Sequence, residues 1–374
     1  MGQSDAGDAM RVLETHTRLR PAVLHTIRRQ DPKLAQSIEE RRFIRKYRAA
    51  VKAAARGEIE ESFDRLEKLN CIRELPDNAR LETVAKAYLD SIDRGERALV
   101  VSQTLAEVHA ANDAIRAALK AQGRLGDETT VLTLQPVDRT EAQKKDRRFY
   151  EPGVRVVFHR SYGRFAKGDQ SEVFEAHERG LTLEKNGRRT KVSYKYAERF
   201  TLAKPVELAI SPGDKLQLKV SGKSAEGLKF SNGELVTVQR VETSGTIVAT
   251  TERGETRSLM PGQRLLVRGY AVTSYASQGK TVDAVIVADS GNRASTSQQQ
   301  WYVSISRGRR RIEIITSDKE QLRENIQRDR GHDSSSAFHY QSAQRQRINE
   351  CIARVRHQDV ATKQAENASV RFRI

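Results

Sequence analysis

The chain carries a polar loop at residues 273–281 that combines hydroxyls, an amide and a glycine directly before an apolar run. Its end, Gly279-Lys280-Thr281, is similar to the end of a phosphate-binding loop. Such a loop needs a glycine five residues before its Gly-Lys pair, where Ser274 stands here, and normally opens a helix. Because this segment leads into a strand pattern, we reject that interpretation. The loop can still present backbone N–H groups and side-chain donors to phosphates, although an ordinary turn also explains it.

A second stretch, residues 301–306, is largely apolar with two serines and ends at Arg307, and three further arginines follow at 309–311. An arginine at the end of a helix can direct its planar guanidinium across a cleft towards transferring phosphate charge. Taken by itself, a solvated basic cluster is the simpler explanation.

Two other stretches, considered one at a time, are weaker indications of a ligand-binding site. Arg28-Arg29-Gln30 stands before Asp31-Pro32, a good helix start, and an arginine pair in that place is common. Thr104 follows the apolar run 98–101, and Glu107 stands three residues later, which fits a capping box. Thr104 also lies where a strand would end, and the carboxyl ends of strands are where α/β sheets bind ligands.

The elements that must position these residues follow from the hydrophobic periodicity. A helical pattern covers residues 31–75 with a break at Gly57, and the apolar run 98–101 predicts a buried parallel strand followed by a helix. From about 150 to 265 the pattern alternates, with turns at 186–187, 232–233 and 244–245, which predicts antiparallel strands. Two further core strands, 284–288 and 312–315, flank a helix at 298–306.

The sequence therefore predicts the α/β class, with one parallel-sheet domain interrupted by an antiparallel β insertion of SH3-like or small-barrel scale. The predicted limits are a helical segment at 1–80, the parallel-sheet domain at 81–149 and 266–327, the insertion at 150–265, and a helical or disordered tail at 328–374.

The amino-acid composition indicates which class of partner the protein binds. Lys and Arg number 66 against 49 Asp and Glu, a net charge of +17, which suits a polyanion because each phosphate contact releases a counterion. A basic but unliganded surface and an anionic membrane are the alternatives. The chain has no apolar run of about 18 residues and no secretory signal, and Cys71 and Cys351 form no metal-binding pattern. We expect a cytoplasmic protein without a membrane partner or a metal site.

Taken in order, the four stretches resemble the later motifs of superfamily 1 helicases of the RecD-like branch. They are most similar to the helicase region of TrwC/TraI-type (MobF) conjugative relaxases. Ile27–Gln30 resembles the third motif, Val100–Arg116 the fourth, Thr273–Gly279 the fifth and Tyr302–Arg307 the sixth. The resemblance covers about residues 20–320, and a β insertion before the fifth motif is common in this family.

The resemblance implies a RecA-like domain that forms the C-terminal half of a DNA helicase motor. It implies that Arg307 is the arginine finger and Arg29 the contact to the ATP γ-phosphate, with Gln30 and Gly279 also in the nucleotide site. Four further positions would line the path of single-stranded DNA, namely Thr104, Thr273, Tyr275 and Gln278. Related sequences often have His in place of Tyr275, and an aromatic side chain there could stack on a base.

The sequence shows neither a complete phosphate-binding loop nor an apolar strand ending in Asp-Glu to hold Mg²⁺. We therefore expect ATP and Mg²⁺ to bind only together with an N-terminal motor half, whose last part residues 1–80 would form. The expected partners are single-stranded DNA and the N-terminal motor domain or relaxase portion of a parent protein. The alternatives are a non-catalytic DNA-binding module derived from such a helicase, and an RNA-directed relative.

Overall fold

The computed structural model describes residues 27–327 except 138, 152, 262–264 and 292–295. Residues 1–26 of the predicted helical segment and the predicted tail at 328–374 lie outside the described residues. The α-helices are α1 (Ile38–Ala55), α2 (Ile59–Lys68), α3 (Asp77–Asp93), α4 (Leu105–Ala121), α5 (Gln298–Ile305) and α6 (Lys319–Gln327). The strands are β1 (Ile72–Glu74), β2 (Ala98–Ser102), β3 (Thr129–Pro136), β4 (Arg155–Phe158), β5 (Gln170–Ala176), β6 (Gly180–Lys185), β7 (Arg188–Ser193), β8 (Phe200–Ile210), β9 (Lys215–Leu218), β10 (Gly222–Lys223), β11 (Lys229–Phe230), β12 (Leu235–Val241), β13 (Ile247–Thr251), β14 (Thr256–Leu259), β15 (Leu266–Arg268), β16 (Ala271–Thr273), β17 (Val282–Asp289) and β18 (Gly308–Thr316).

A parallel sheet with the strand order β1-β18-β17-β2-β16 forms the centre of the fold. Helices cover both of its faces, and all five residues of β2 are therefore buried. Leu99 and Val101 point to a core shared with α1, α2 and α5, whereas Val100 packs against α3 and α4. Burial on both sides explains why β2 reads as an unbroken apolar run.

Caps set the ends of the helices that carry the candidate residues. Ser37 begins α1 by accepting a hydrogen bond from the Glu40 N–H at 3.1 Å, so the predicted start at Asp31-Pro32 yields only a 3₁₀ turn before it. The predicted break at Gly57 is confirmed, with φ at +83° between α1 and α2. Thr104 caps α4 by accepting from the Glu107 N–H at 3.2 Å.

The Glu107 carboxylate does not complete the predicted capping box. It accepts hydrogen bonds from the hydroxyls of Ser102 and Thr104 and from the Ser290 N–H. Glu107 thereby ties the carboxyl ends of β2 and β17 to the start of α4.

The helical segment predicted for residues 1–80 also contains the strand β1, which pairs with β18. Asn70 ends α2 in the left-handed conformation, with φ at 55°, and the chain then enters the edge of the parallel sheet. A strand of three residues is too short to show the alternation of apolar and polar residues. The helical pattern on either side of β1 therefore led to a prediction of helix for the whole segment. The described part of this segment packs in the same core as β2 and β17.

The antiparallel region is larger than predicted and consists of two main sheets. One has the order β3-β8-β4-β5-β6-β7, the other has the order β14-β13-β12-β9-β15, and β10 and β11 form a separate hairpin. The region runs from Thr129 to Arg268 instead of from 150 to 265, because β3 pairs with β8 and β15 pairs with β9. Asn186 and Gly187, with φ at 53° and 71°, form the predicted turn between β6 and β7.

A buried polar network holds this insertion to α4. The Arg116 guanidinium donates to both carboxylate oxygens of Asp214 at 3.1 Å, and the Tyr270 hydroxyl donates to Asp214 at 2.6 Å. Asn112 accepts from the N–H groups of Tyr270 and Ala271, where the chain re-enters the parallel sheet. Arg116 and Asn112, which the motif resemblance singled out, thus fix the start of β16.

The predicted fold class is confirmed, namely an α/β chain with a parallel-sheet domain interrupted by an antiparallel insertion. Within the described ranges, none of the helices combines the length and apolar character that crossing a membrane requires.

Candidate functional site

Residues 274–281, which we call the crossing loop, connect β16 to β17. Because both strands run parallel to β2, the loop has to return from the carboxyl end of the sheet to its amino end. At its start, the Ser274 N–H donates to the Ser102 carbonyl at 3.0 Å. Midway, Ala276 packs against the core beneath α1 and α5. The loop therefore links two edges of the sheet that carry different candidate residues.

Side chains from distant parts of the sequence meet at Ser306, between α5 and β18. Arg29 donates to the Ser306 carbonyl at 2.6 Å and to the Thr281 hydroxyl at 2.9 Å. Gln30 donates to the same Ser306 carbonyl at 3.3 Å, and Arg307 donates to the Ser306 hydroxyl at 2.7 Å. The structure thus brings together three residues that the motif resemblance assigned to a nucleotide site.

The Arg307 guanidinium is 7% exposed and is held by its neighbours. Its Nε donates to the Val303 carbonyl at 2.7 Å, which is one turn back in α5. Its Nη1 donates to the Ser277 carbonyl at 3.4 Å, in the crossing loop. The position of this arginine therefore depends on both the helix and the loop.

Burial first, and then the positive charge of Arg29, lower the pKa of Arg307 to about 10. Tyr302 and Tyr47 act in the opposite direction, and no carboxylate of the described residues contributes. The guanidinium groups of Arg29 and Arg307 thus lie close together, and no carboxylate within residues 27–327, as far as these are described, pairs with them there. An anion with several oxygens, such as a phosphate, is the species that such a pair favours.

Gln30 and Tyr47 lie on the buried side of the Arg29–Arg307 pair. Both side chains are fully buried. Gln30 donates to the Gly308 carbonyl, and Tyr47 donates to the carbonyls of Ile305 and Gly308. The Gln30 Oε1 has no hydrogen-bond partner among the described residues, so one buried acceptor there remains available to a donor.

The predicted DNA contacts lie at the carboxyl edge of the sheet and along the crossing loop. Thr273 ends β16 in register with Ser102, the last residue of β2, and Thr104 follows two residues later at the start of α4. The Tyr275 side chain is 59% exposed, and Gln278 ends the turn Tyr275–Ser277. The predicted DNA contacts are therefore separate from the predicted nucleotide contacts at Ser306, and the crossing loop joins the two groups.

Gly279 and Lys280 lie at the far end of the crossing loop. Gly279 has φ at +80°, which a side chain would strain. Lys280 Nζ donates to the Gly233 carbonyl at 2.5 Å, in the insertion. Burial lowers the pKa of both Lys280 and Lys219, and the charge of Lys280 lowers that of Lys219 further. Lys280 thus faces the insertion and not the arginine pair.

Several residues of this arrangement were not predicted as site residues. Ser306 and Thr281 receive the arginine hydrogen bonds, and Gln103 donates to the Ser304 hydroxyl at 3.2 Å. Lys219 lies in the insertion, 61 residues before Lys280. Gln103, Thr281 and Ser306 lie within stretches that the sequence analysis singled out, but the sequence does not indicate which segments these residues contact. Lys219 had no signal, because it contacts the crossing loop only through the folding of the insertion.

No protein-family model matches the sequence, and no curated protein matches it. Solved structures of Pif1 helicases are similar in fold. Bacteroides Pif1 bound to single-stranded DNA is 13% identical, with a TM-score of 0.38 over 81% of this chain and 55% of that chain. Pif1 from Candida albicans is 13% identical, with a TM-score of 0.32 over 75% of this chain and 57% of that chain. The chain thus spans about half the length of these proteins.

Proposed function

We propose that this chain is the second half of an ATP-dependent helicase or translocase motor that moves along single-stranded DNA. Arg307 is the arginine finger and Arg29 the γ-phosphate contact, and Gln30 and Gly279 also bind the nucleotide. The observation that carries this proposal is the meeting of Arg29 and Arg307 at Ser306, where burial and like charge coincide. Such a pair is preorganised for phosphate charge that another domain presents.

The partner in this proposal is an N-terminal motor half with a phosphate-binding loop and the residues that hold Mg²⁺. ATP would lie between the two halves, and Arg29 and Arg307 would neutralise charge on the transferred phosphoryl group. The motif resemblance supports a parent protein of the conjugative-relaxase type, in which this partner belongs to the same polypeptide.

Single-stranded DNA would run along the carboxyl edge of the parallel sheet, over Thr104, Thr273, Tyr275 and Gln278. The crossing loop supports a coupling between the two sites, because Ser274 contacts the end of β2 and Ser277 contacts Arg307. A shift of the loop on DNA binding would therefore change the position of the guanidinium.

The test combines the chain with the N-terminal motor half and measures ATP hydrolysis stimulated by single-stranded DNA. Arg307→Ala is expected to lower the turnover by about 10³–10⁵, the effect of removing an arginine finger. Single-stranded DNA binding should fall far less than turnover, because Arg307 is not itself a proposed strand contact and reaches the crossing loop only through the Ser277 carbonyl. Arg42→Ala, an exposed arginine of α1, is the matched control. Full turnover by Arg307→Ala would overturn the proposed role.

A second candidate function is a DNA-binding module that never hydrolyses ATP. The observation that favours it is that Val303, Ser277 and Ser306 already accept three of the five N–H donors of Arg307, which leaves only two for a phosphate. In that case an ATP analogue would not change single-stranded DNA affinity even beside the N-terminal half. A change of affinity by the analogue supports the motor.

A further inference from the structure

A cleft of about 730 Å³ opens within the insertion, between the segment leading into β5 and the β10–β11 hairpin. This volume falls within the range of about 300–1,000 Å³ of ligand pockets. Seven of its eleven lining residues are polar or charged, and they include lysines from both sides, namely Lys167 from the first side and Lys223 and Lys229 from the hairpin.

The positive charge of this cleft is not cancelled by its own acidic residue. Asp169, which also lines the cleft, is paired with Lys185 at 2.5 Å and accepts from the Ala166 N–H at 2.9 Å. Lys167 and Lys229 are exposed. The cleft therefore presents an excess of cationic groups to solvent, as a phosphate-bearing ligand requires.

The floor of the cleft is apolar but offers no aromatic face. Phe230 is 3% exposed, and its ring packs on Gly222, where a Cβ atom would lie 2.7 Å from the ring. Because that ring is covered, a nucleic acid in the cleft would be held by its backbone and not by base stacking. Recognition of this kind does not depend on sequence.

Two residues that line the cleft lie close along the chain to the place where the crossing loop contacts the insertion. Val220 lines the cleft and directly follows Lys219, while Ser231 lines it two residues before Gly233, the acceptor for Lys280. Lys219 and Lys280 are therefore like charges at the point where the loop meets the insertion. Glu252 and Glu234 are the carboxylates that act on Lys280.

We propose that a single-stranded nucleic acid continues from the crossing loop into this cleft, with its phosphates on Lys219 and Lys280 at the entrance and on Lys167 and Lys229 inside. This inference rests on the proposed function, since it extends the same strand path. It assigns to the insertion a second, sequence-independent grip on the strand.

The experiment measures binding of labelled oligo(dT) of increasing length to the full chain by fluorescence anisotropy across a salt series. Lys167→Gln combined with Lys229→Gln should weaken binding only for strands long enough to reach the cleft. Each lost phosphate contact should lower the salt slope of log K by about 0.7, which gives about 1.4 for the pair. Both side chains are exposed, so the fold should be unaffected. Lys52→Gln with Lys86→Gln, exposed on α1 and α3, is the matched control.

The outcomes separate the two proposals. Absence of oligo(dT) binding by the unaltered chain would contradict the proposed function itself. Binding by the unaltered chain with no difference between the cleft variant and its control would overturn the cleft alone. Equal loss for oligo(dT) and oligo(U) would support a backbone grip that accepts DNA and RNA. A loss that appears equally with blunt duplex would overturn the single-strand assignment.

Discussion

Arg29 and Arg307 carry like charges and yet lie against the same residue, Ser306. Their repulsion is tolerated because carbonyl and hydroxyl oxygens take up their donors. Hydrogen bonds to neutral oxygens compensate a buried cation less well than a carboxylate does. The arrangement is therefore ready for an anion before any ligand arrives, which is the property that lowers reorganisation during phosphoryl transfer.

Tyr275 is the residue whose role in strand binding can be tested most directly. Its ring is 59% exposed on the crossing loop, so removing it should leave the fold intact. If it stacks on a base, Tyr275→Ala should weaken single-stranded DNA binding by about 1–3 kcal/mol. Anisotropy titrations of the full chain measure this loss.

Tyr275→Phe is the control, since it keeps the ring and removes only the hydroxyl. Affinity like that of the unaltered chain supports stacking. A loss as large as that of Tyr275→Ala would show that the hydroxyl, and not the ring face, makes the contact.

At the scale of elements, α4 and β16 decide where the crossing loop starts. Arg116 and Asp214 join α4 to the insertion, and Asp214 is fully buried. Arg116→Ala would leave this carboxylate without its cation, which costs about 3–5 kcal/mol in buried pairs. We expect a lower free energy of unfolding in urea titrations and weaker single-stranded DNA binding, because β16 and the loop lose their anchor.

Arg124→Ala is the control for this prediction. It removes an exposed ion pair with Asp93, and such surface pairs contribute about 0–1 kcal/mol. An unfolding free energy of Arg116→Ala equal to that of the control would mean that Asp214 is adequately satisfied by Tyr270 and the Ser211 N–H.

The elements also show what the sequence could predict. β2 and β17 were visible because burial on both faces leaves an unbroken apolar run, and Gly57 marked the break between α1 and α2. β1 was hidden because it has only three residues. The pairing of β3 with β8 was not visible because β8 lies about 70 residues later, and neither strand shows this pairing locally.

For the candidate site, the sequence predicted individual residues but not the contacts between them. Arg29 and Arg307 each stood in a recognisable motif, but their meeting joins residues 278 positions apart, with Ser306 between them. The hydrogen bond from Lys280 to Gly233 likewise depends on how the insertion folds back. Contacts of this kind arise from tertiary packing, which periodicity does not encode.

At the scale of the whole molecule, the sequence leads to different expectations for nucleic acid and for ATP. Its net charge is +17, but it shows no complete phosphate-binding loop. The charge favours a nucleic-acid backbone at low salt, with an affinity that falls linearly in log K against log salt. Under the proposed function, ATP would contact Arg29 and Arg307, but the sequence shows no complete loop for its β-phosphate. The full chain alone should therefore bind single-stranded DNA in a salt-dependent manner and hydrolyse almost no ATP.

Anisotropy titrations and a phosphate-release assay on the same preparation measure both quantities. Addition of ATP should leave the salt slope unchanged, because the nucleotide site needs the second motor half. Rapid phosphate release by the pure chain, abolished by Arg307→Ala, would show that this half already holds a complete nucleotide site. Binding that does not respond to salt would mean that the basic groups contact no phosphates, and both strand sites would then have to be abandoned.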